Sequence, residues 1–587
     1  YFIGAALSLF INNKVEKTFF ELSGIRRRLI LLLFLAGFLT LIFRAFYLQS
    51  LDKKFLQSKG NATSTRVISL YADRGKITDR NGDILAISSP VESVWVNPPN
   101  VKITKDQKLE LENILKLSSN EVDQKLLNNK KEFIYLKRQI SPEDARRLQA
   151  LKIPGIFFQK EFKRFYPAAD ITANLVGFTN LDNIGQEGIE LSQNKFLSGK
   201  LGSKKVIKDR AGKIVDDLQE VKLPQDGHDI KLSIDARIQY LTYRELAKSI
   251  EIHKAKAGSA IVLDAKTGEV LAMANLPSYN PNNFREGGGP TRNRAVTDVF
   301  EPGSTIKPFT VSSALDAGIL NPSSLVEISS GLMKIGSATI HDAHADGSKP
   351  FMTVSEVIAK SSNVGAARIG LMQTPKSLWS TLNKVGFGMQ TSAGFPGEVS
   401  GRLRDYKNWG KVDQATISFG HGINLTLLQL AQSYTVFAND GEMKPVTLFK
   451  KDEIPMGTKV FTKQTARTMV EMMEQVVEEG TGGNAKIIGY RVAGKTGTAE
   501  KIGANGAYEK NKNIGSFVGL APVSNPRIIM AVMIDEPSIG SHYGGAVAAP
   551  VFSSVMADVM KILKIPQDIK TQNKVLPQDN KNIKETI

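Results

Sequence analysis

Cysteine is absent from the 587 residues, which excludes disulfides and thiolate metal sites but leaves the compartment open. Internal repeats are missing too. So is any helix-turn-helix, zinc-finger or aromatic RNA-binding signature, and the formal net charge of +18 therefore does not read as a nucleic-acid footprint. A basic surface near anionic lipid or an anionic polymer accounts for it instead. What remains is ordinary: 42% hydrophobic and 23% charged residues describe a folded globular chain. The length exceeds what one core can hold and suggests roughly two to four units.

One long apolar run sets the topology. Leu29 to Leu48 reads LILLLFLAGFLTLIFRAFYL, with Arg44 its only charge, near one end where it can snorkel. As a helix this run reaches about 30 Å, the thickness of a bilayer core. Arg26, Arg27 and Arg28 precede it, which predicts a cytoplasmic segment 1–28, a membrane span 29–48 and the remainder outside. No small-x-small cleavage pattern follows, which disfavours a cleaved signal peptide. The earlier run FIGAALSLF (2–10) is too short to span.

Residues 49–230 mix strand-like stretches, short helices and turn signals such as Asp79-Arg80-Asn81-Gly82, predicting an elongated mixed α/β pedestal. Lys222-Leu223-Pro224-Gln225-Asp226-Gly227 suits a boundary loop. From 231 to 565 the texture changes to one α/β (α+β) domain. A helix starts near Asp235, a hairpin turns at Asp264 to Gly268, and helical patterns run from Ser304 to beyond Asp440. Three consecutive strands and a last helix, VFSSVMADVMKILK, complete it. Strands at both ends with helices between predict a helix-flanked sheet joining the two ends of the domain. The polar tail 566–587 reads as disordered.

Three short motifs carry the chemistry: Ser304-Thr-Ile-Lys307, Ser361-Ser-Asn363 and Lys495-Thr-Gly-Thr498. Each is weak alone, since S-x-x-K recurs at Ser50 and Ser192, K-T-G at Lys266, and S-x-N at Ser192. Context chooses among them. Ser304 follows Glu301-Pro302-Gly303 and opens an apolar run, which puts its hydroxyl at a helix N-terminus with Lys307 one turn along on the same face. Backbone N–H groups there can stabilise an oxyanion, and the amine can reach Oγ. Pro308 is tolerated in the first turn. Ser50 sits at the membrane edge, Ser192 lies inside a helix, and Lys266 belongs to a hairpin turn where such residues occur for local reasons.

To accept the serine proton, Lys307 must be neutral, which needs roughly 4–5 kcal/mol against its charged form. Burial supplies part, and Lys495 is the candidate second cation that supplies more. On a strand, Lys495 and Gly497 share one face and Thr496 and Thr498 the other. Gly497 permits close approach of a substrate backbone, and the threonine hydroxyls can bind a carboxylate. Ser361 and Asn363 follow a capping box, Thr353 to Glu356, and can project into a cleft between helices and sheet; their bland reading is a simple turn. Ile340 to Asp346 holds His341, Asp342, His344 and Asp346, but with no third histidine it is read as a polar loop, and neither metal nor cofactor is expected.

Taken in order, PGSTIKP, KSSNVG and GKTGTA resemble the active-site motifs of class B penicillin-binding proteins, for which the serine-lysine and K-T-G motifs are established markers. RGKITDRNGDILA (74–86), RFYPAAD (164–170), GQEGIE (185–190) and DRAG (209–212) resemble the family's pedestal signatures. SFGHGINLT (418–426), SFVGLAPVSNPR (516–527) and YGGAVAAPVF (543–552) resemble its C-terminal ones, closest to the septal, FtsI-like branch. The resemblance implies a penicillin-binding transpeptidase fold. Ser304 would be acylated by the penultimate D-Ala of a stem peptide, with Lys307 as base and Ser361 relaying a proton beside Lys495. Asn363 would hold the stem amide, and Thr496 and Thr498 the terminal carboxylate. Backbone N–H groups of Ser304 and Thr498 would form the oxyanion hole. It also implies β-lactams as inhibitors, a single-pass cytoplasmic-membrane location with the catalytic domain outside, and an FtsW-like glycosyltransferase among division partners.

Rival readings are an elongation-type transpeptidase, a penicillin-binding sensor or scaffold, a β-lactamase and a D,D-carboxypeptidase. A sensor should carry a larger cytoplasmic module than the 28 residues before the span. A β-lactamase needs a water-activating base that the pattern does not supply, and the large pedestal favours a transpeptidase over a carboxypeptidase.

Overall fold

The computed structural model describes residues 24–127, 131, 133–208, 214–283, 289–343, 349–503 and 507–569. The DRAG motif (209–212), His344 and Asp346, and the FIGAALSLF run lie outside them. The chain divides into two compact units, one formed by 1–70 with 201–223 and the other by 71–200 with 224–587.

In the first unit, Gly24–Phe46 is a helix of 23 residues with no buried side chain, long and apolar enough to cross a membrane. A single wide turn, Tyr47–Leu51, holds Ser50 exposed, and the helix Lys53–Ser64 follows. Strand β1 (Thr65–Leu70) pairs antiparallel with a strand that begins at Gly202, so the unit is discontinuous in sequence.

In the second unit, β2 (Ile77–Thr78), β3 (Ile84–Val96), β4 (Ile134–Ile140) and β5 (Ile156–Phe165) build a small sheet. The helices Lys105–Leu115, Ser119–Leu126 and Pro142–Ala150 bury Leu111, Leu115, Val122 and Leu148 in one core with Val94, Val96 and Leu136 of the strands. The first unit's β6 (Gly202–Lys208) and β7 (Ile214–Lys222) complete its sheet in the order β1-β6-β7. β8 (Ile230–Lys231) then pairs in parallel with β2.

Three separate sequence signatures converge on one buried cluster. Arg74 of the first donates to Glu190 Oε2 of the third at 2.7 Å, and Arg164 of the second donates to Glu190 Oε1 at 2.6 Å. Glu190 has no exposed surface, so its charge is balanced by two guanidiniums, one from the loop at Arg74 and one from β5. The Asp79 turn is fastened elsewhere: Asp79 Oδ2 accepts from Ala236 N at 3.1 Å, and Arg80 donates to Glu269 at 3.1 Å. One core takes in Ile77, Leu85, Tyr166 and Ile230 together with Ile261, Phe309 and Leu430. One core cluster therefore runs across residue 230.

Asp235 caps the helix Ala236–His253 as expected. β9 (Ala257–Asp264) and β10 (Val270–Leu276) form the hairpin, with Lys266 and Thr267 N–H groups on Asp264 Oδ1. The helical stretch from Ser304 also contains β11 (Leu325–Glu327), β12 (Leu332–Ile335), β13 (Ala338–His341) and β14 (Phe351–Thr353). Farther on come β15 (Glu442–Met443) and β16 (Thr458–Lys459). These two- to four-residue pairs are too short to show a period-2 pattern, which is why the sequence reads as helix throughout.

β17 (Ala493–Ile502), β18 (Tyr508–Ala521) and β19 (Ile528–Asp535) close a five-stranded sheet in the order β10-β9-β19-β18-β17. Both ends of the domain therefore supply it. Ile238 and Leu246 of the first helix and Phe552, Val555 and Val559 of the last, Ala549–Ile562, pack on one face. On the other lie the helices Lys307–Asp316, Leu427–Ser433 and Lys463–Glu478. The start of the tail is fixed, contrary to the expectation of disorder from 566. Asp568 accepts from Arg491 N at 2.8 Å and Ser524 N at 3.1 Å, and Ile569 N donates to Gly489 O. Polar composition concealed this because the contacts are made by backbone N–H groups. Residues 570–587 lie outside the described residues.

Candidate active site

Gly303 adopts φ 53°, a left-handed conformation that turns the chain sharply into a short helical turn, Gly303–Ile306, continuous with the helix Lys307–Asp316. Ser304 stands in that turn and lines a cleft of about 350 Å³. Pro308 occupies the first turn of the helix, where its missing N–H costs nothing. Ser361, Asn363, Thr496, Gly497 and Thr498 line the same cleft, so the three motifs are brought together. The decoys are not: Ser50 and Ser192 are exposed elsewhere, and Lys266 Nζ donates to Ala438 O.

The lysines lie behind this lining, each with no exposed surface. Lys307 Nζ reaches Ser361 O at 2.6 Å, Asn363 Oδ1 at 2.8 Å and Ser361 Oγ at 3.2 Å. None of these bonds is to Ser304, so the contact expected between Lys307 and the serine is not formed here. Two of the partners, a carbonyl and an amide oxygen, only accept. A neutral amine satisfies both with its two protons and keeps a lone pair for a hydroxyl. Burial, then the nearby charge of Lys495, hold Lys307 well below its ordinary value, while Asp342 pulls weakly the other way. Lys495, lowered to about 7 by burial, donates to Ser361 Oγ at 2.9 Å and to Thr496 O at 3.2 Å. Ser361 Oγ thus sits between two amines. Its backbone takes φ 62°, which is uncommon for serine and turns both its oxygens toward Lys307.

The capping box of Thr353 and Glu356 starts the helix Val354–Ala359, and Ser362 caps the next helix, Asn363–Leu371. Asp342 fixes that second start by accepting from Ser362 Oγ at 2.7 Å and Val364 N at 2.9 Å. Asn363 Nδ2 donates to His341 O at 2.9 Å, which orients the amide whose oxygen meets Lys307. Asp342 is therefore a cap and charge partner. Among the described residues, no three metal-ligating side chains cluster anywhere.

The threonines project as the strand pattern predicts. Thr496 Oγ1 lies 2.7 Å from Thr481 Oγ1, and Thr498 Oγ1 accepts from Gly544 N at 3.3 Å. That last bond occupies a lone pair and leaves the Thr498 O–H to donate into the cleft. Gly497 lines the cleft, and its missing side chain also has a packing use. A side chain there would meet Pro302 O and Thr305 Cγ2, each at 2.9 Å, so the glycine lets the Ser304 turn lie directly on β17. Sequence reasoning missed Asp342, Thr481 and His421. His421 also lines the cleft, and burial, followed by the charge of Lys307, lowers its pKa. The quoted SFGHGINLT segment was the available signal for it.

A family model described as the penicillin-binding protein transpeptidase domain matches residues 258–557, and one described as the penicillin-binding protein dimerisation domain matches 69–232. Over 535 residues the chain is 42% identical to the probable peptidoglycan D,D-transpeptidase PenA of Neisseria gonorrhoeae, covering 90% of this chain and 91% of that one. It is 41% identical over 541 residues to the peptidoglycan D,D-transpeptidase FtsI of Escherichia coli, covering 90% of each. A solved peptidoglycan synthetase from Bifidobacterium adolescentis matches with a TM-score of 0.69 at 26% identity, over 87% of this chain and 98% of that one. The chain belongs to the penicillin-binding proteins and carries their transpeptidase domain behind their dimerisation domain.

Proposed function

We propose that this chain is a septal peptidoglycan D,D-transpeptidase that works through a Ser304 acyl-enzyme and is inhibited by β-lactams. One observation carries the reading: Ser361 Oγ lies 3.2 Å from Lys307 Nζ and 2.9 Å from Lys495 Nζ, both amines buried, beside the serine that opens the helix. Neutral Lys307 takes the Ser304 proton as Oγ attacks the carbonyl of the penultimate D-Ala. Backbone N–H groups of Ser304 and Thr498 receive the oxyanion. The C–N bond then breaks, and a proton passed through Ser361 neutralises the departing D-Ala amine. An amine from a neighbouring stem attacks the ester, gives up its proton along the same route and releases Ser304. Thr496 and Thr498 hold the terminal carboxylate, and Asn363 the stem amide.

The names of the PenA and FtsI relatives support the substrate and the septal role. In this reading residues 1–28 are cytoplasmic, 29–48 span the membrane, 49–230 form the pedestal and 231–565 the catalytic domain outside. An FtsW-like glycosyltransferase supplies the glycan strands. A Ser304→Ala variant should not be labelled by fluorescent penicillin, whereas Ser50→Ala and Ser192→Ala should be, and peptide mapping should place the adduct on Ser304. Labelling of Ser304→Ala would sink the assignment. Depletion should give filaments; round cells would favour the elongation role.

A further inference from the structure

Glu301 is a buried carboxylate three residues before the nucleophile, and the acyl-transfer steps make no use of it. Its two oxygens reach different parts of the chain. Oε1 accepts from Gly422 N at 2.7 Å, and Oε2 accepts from Tyr508 OH at 3.0 Å. Gly422 lies in the loop that carries His421 into the cleft. Tyr508 starts β18 and faces Ile502 at the far end of β17, the strand that carries Lys495 to Thr498. Glu301 thus joins three segments that each supply or adjoin lining of the cleft: the turn of Ser304, the loop of His421 and the strand pair that carries Thr496 to Thr498.

Around it the walls already lie close. Phe300 exchanges both backbone hydrogen bonds with Leu425, at 3.0 and 3.1 Å, and Gly303 N donates to Gly420 O at 3.2 Å. Gly420 has φ 96°, and a side chain on it would run into the Gly303 backbone. The 420–425 loop and the Ser304 turn are therefore joined backbone to backbone. The β17–β18 end, by contrast, is tied to Glu301 by a side chain. Tyr508 is half-exposed, and its ring centre lies 5.8 Å from that of His421. Burial raises the Glu301 pKa, opposed by the Gly422 and Tyr508 donors, so the two hydrogen bonds are what a charged carboxylate at this place depends on.

We infer that Glu301 is a positioning residue for acylation: its carboxylate joins Gly422 N–H to Tyr508 OH and so holds the Ser304 turn, the His421 loop and the β17–β18 strand pair in register. It touches no reacting atom. Its effect falls on the rate at which a bound acyl donor reacts and not on how tightly the donor binds.

The inference rests on Ser304 as the acylated residue, and the experiment separates the two. Acylation of the full-length, detergent-solubilised protein by a chromogenic β-lactam is followed at rising concentrations, which resolves pre-covalent affinity from the acylation rate constant. Adduct mapping to Ser304 tests the underlying reading independently. Losing a hydrogen bond to a charged group should slow acylation about tenfold in Glu301→Ala and about fivefold in Tyr508→Phe, with affinity unchanged. Glu301→Gln should recover most of the rate, because its amide can accept from Gly422 N and donate to the tyrosine oxygen. The double variant Glu301→Ala/Tyr508→Phe should be no slower than Glu301→Ala alone. Tyr508→Phe removes one hydroxyl from a half-exposed ring, so it stays informative if Glu301→Ala fails to fold. Wild-type rates in Tyr508→Phe, an additive double variant, a loss confined to affinity, or a Gln variant as slow as Ala would each overturn the inference while leaving Ser304 in place.

Discussion

Lys495 gives the most demanding test of the site's electrostatics. It has no exposed surface, and burial holds its ammonium to about 7 where an ordinary lysine stands at 10.5. That difference corresponds to about 5 kcal/mol against the charged form. Its folded value lies below its unfolded one, so between those values the unfolded chain binds more protons. Stability is then fully present above pH 10.5 and is lost as pH falls through about 7. Lys495→Met keeps the bulk and removes the charge. The variant also loses the bonds to Ser361 Oγ and Thr496 O, a pH-independent cost of about 1–3 kcal/mol. It should therefore melt higher than wild type at pH 6.5, and its advantage should shrink by about 3 kcal/mol by pH 9.5. Its acylation should fall at the same time. Without the neighbouring cation Lys307 charges more readily, so the acid limb of the acylation profile should move to higher pH. Melting curves at three pH values, paired with penicillin-labelling rates, read both effects. A stability difference that is flat from pH 7 to 9.5 would refute the idea that Lys495 is held near neutrality.

Gly303→Ala should cost about 1–2 kcal/mol for its left-handed conformation, and should slow penicillin labelling further because the added carbon would lie 2.8 Å from Thr498 O; melting and labelling rates check it. Glu190→Gln should destabilise the second unit by about 3–5 kcal/mol, since it leaves Arg74 and Arg164 buried without a full counter-charge, and chemical denaturation reads this directly. Lys307→Met should abolish labelling at every pH, while the wild-type rate should rise with pH through the depressed Lys307 value; labelling of the variant at high pH would argue for another base.

The three motifs of the candidate site were legible because each is local: a glycine turn before Ser304, a broken helix at Ser361, a strand at Lys495. The five-stranded sheet was legible for a similar reason, since β9, β10 and β17 to β19 are long enough to show their pattern. Partners set by tertiary approach were not legible. Asp342 looks like a metal ligand beside His341 until the fold brings Ser362 and Val364 to its two oxygens. Gly497 reads as room for a substrate, and nothing local reveals that its missing side chain also makes room for Pro302 and Thr305, nearly 200 residues upstream. The shared core across residue 230 was hidden because nothing in composition shows that Ile77, Ile230 and Phe309 end in one core.

The sheet order also dictates a schedule for chain synthesis. β9 and β10 are made early, but one edge of β9 finds its partner only in β19, beginning at Ile528. Pairing across such a separation closes slowly. Until it does, β9 presents an open apolar edge of the kind that templates aggregation. The same order separates Ser304, the nucleophile of the proposed reaction, from its surroundings: Ser304 and Lys307 are synthesised about 190 residues before Lys495. A nascent or truncated chain can therefore hold the serine and its helix while lacking the strand that carries Lys495, Thr496 and Thr498. Completing the fold and bringing the three motifs together around Ser304 become one event, triggered when the last strands dock.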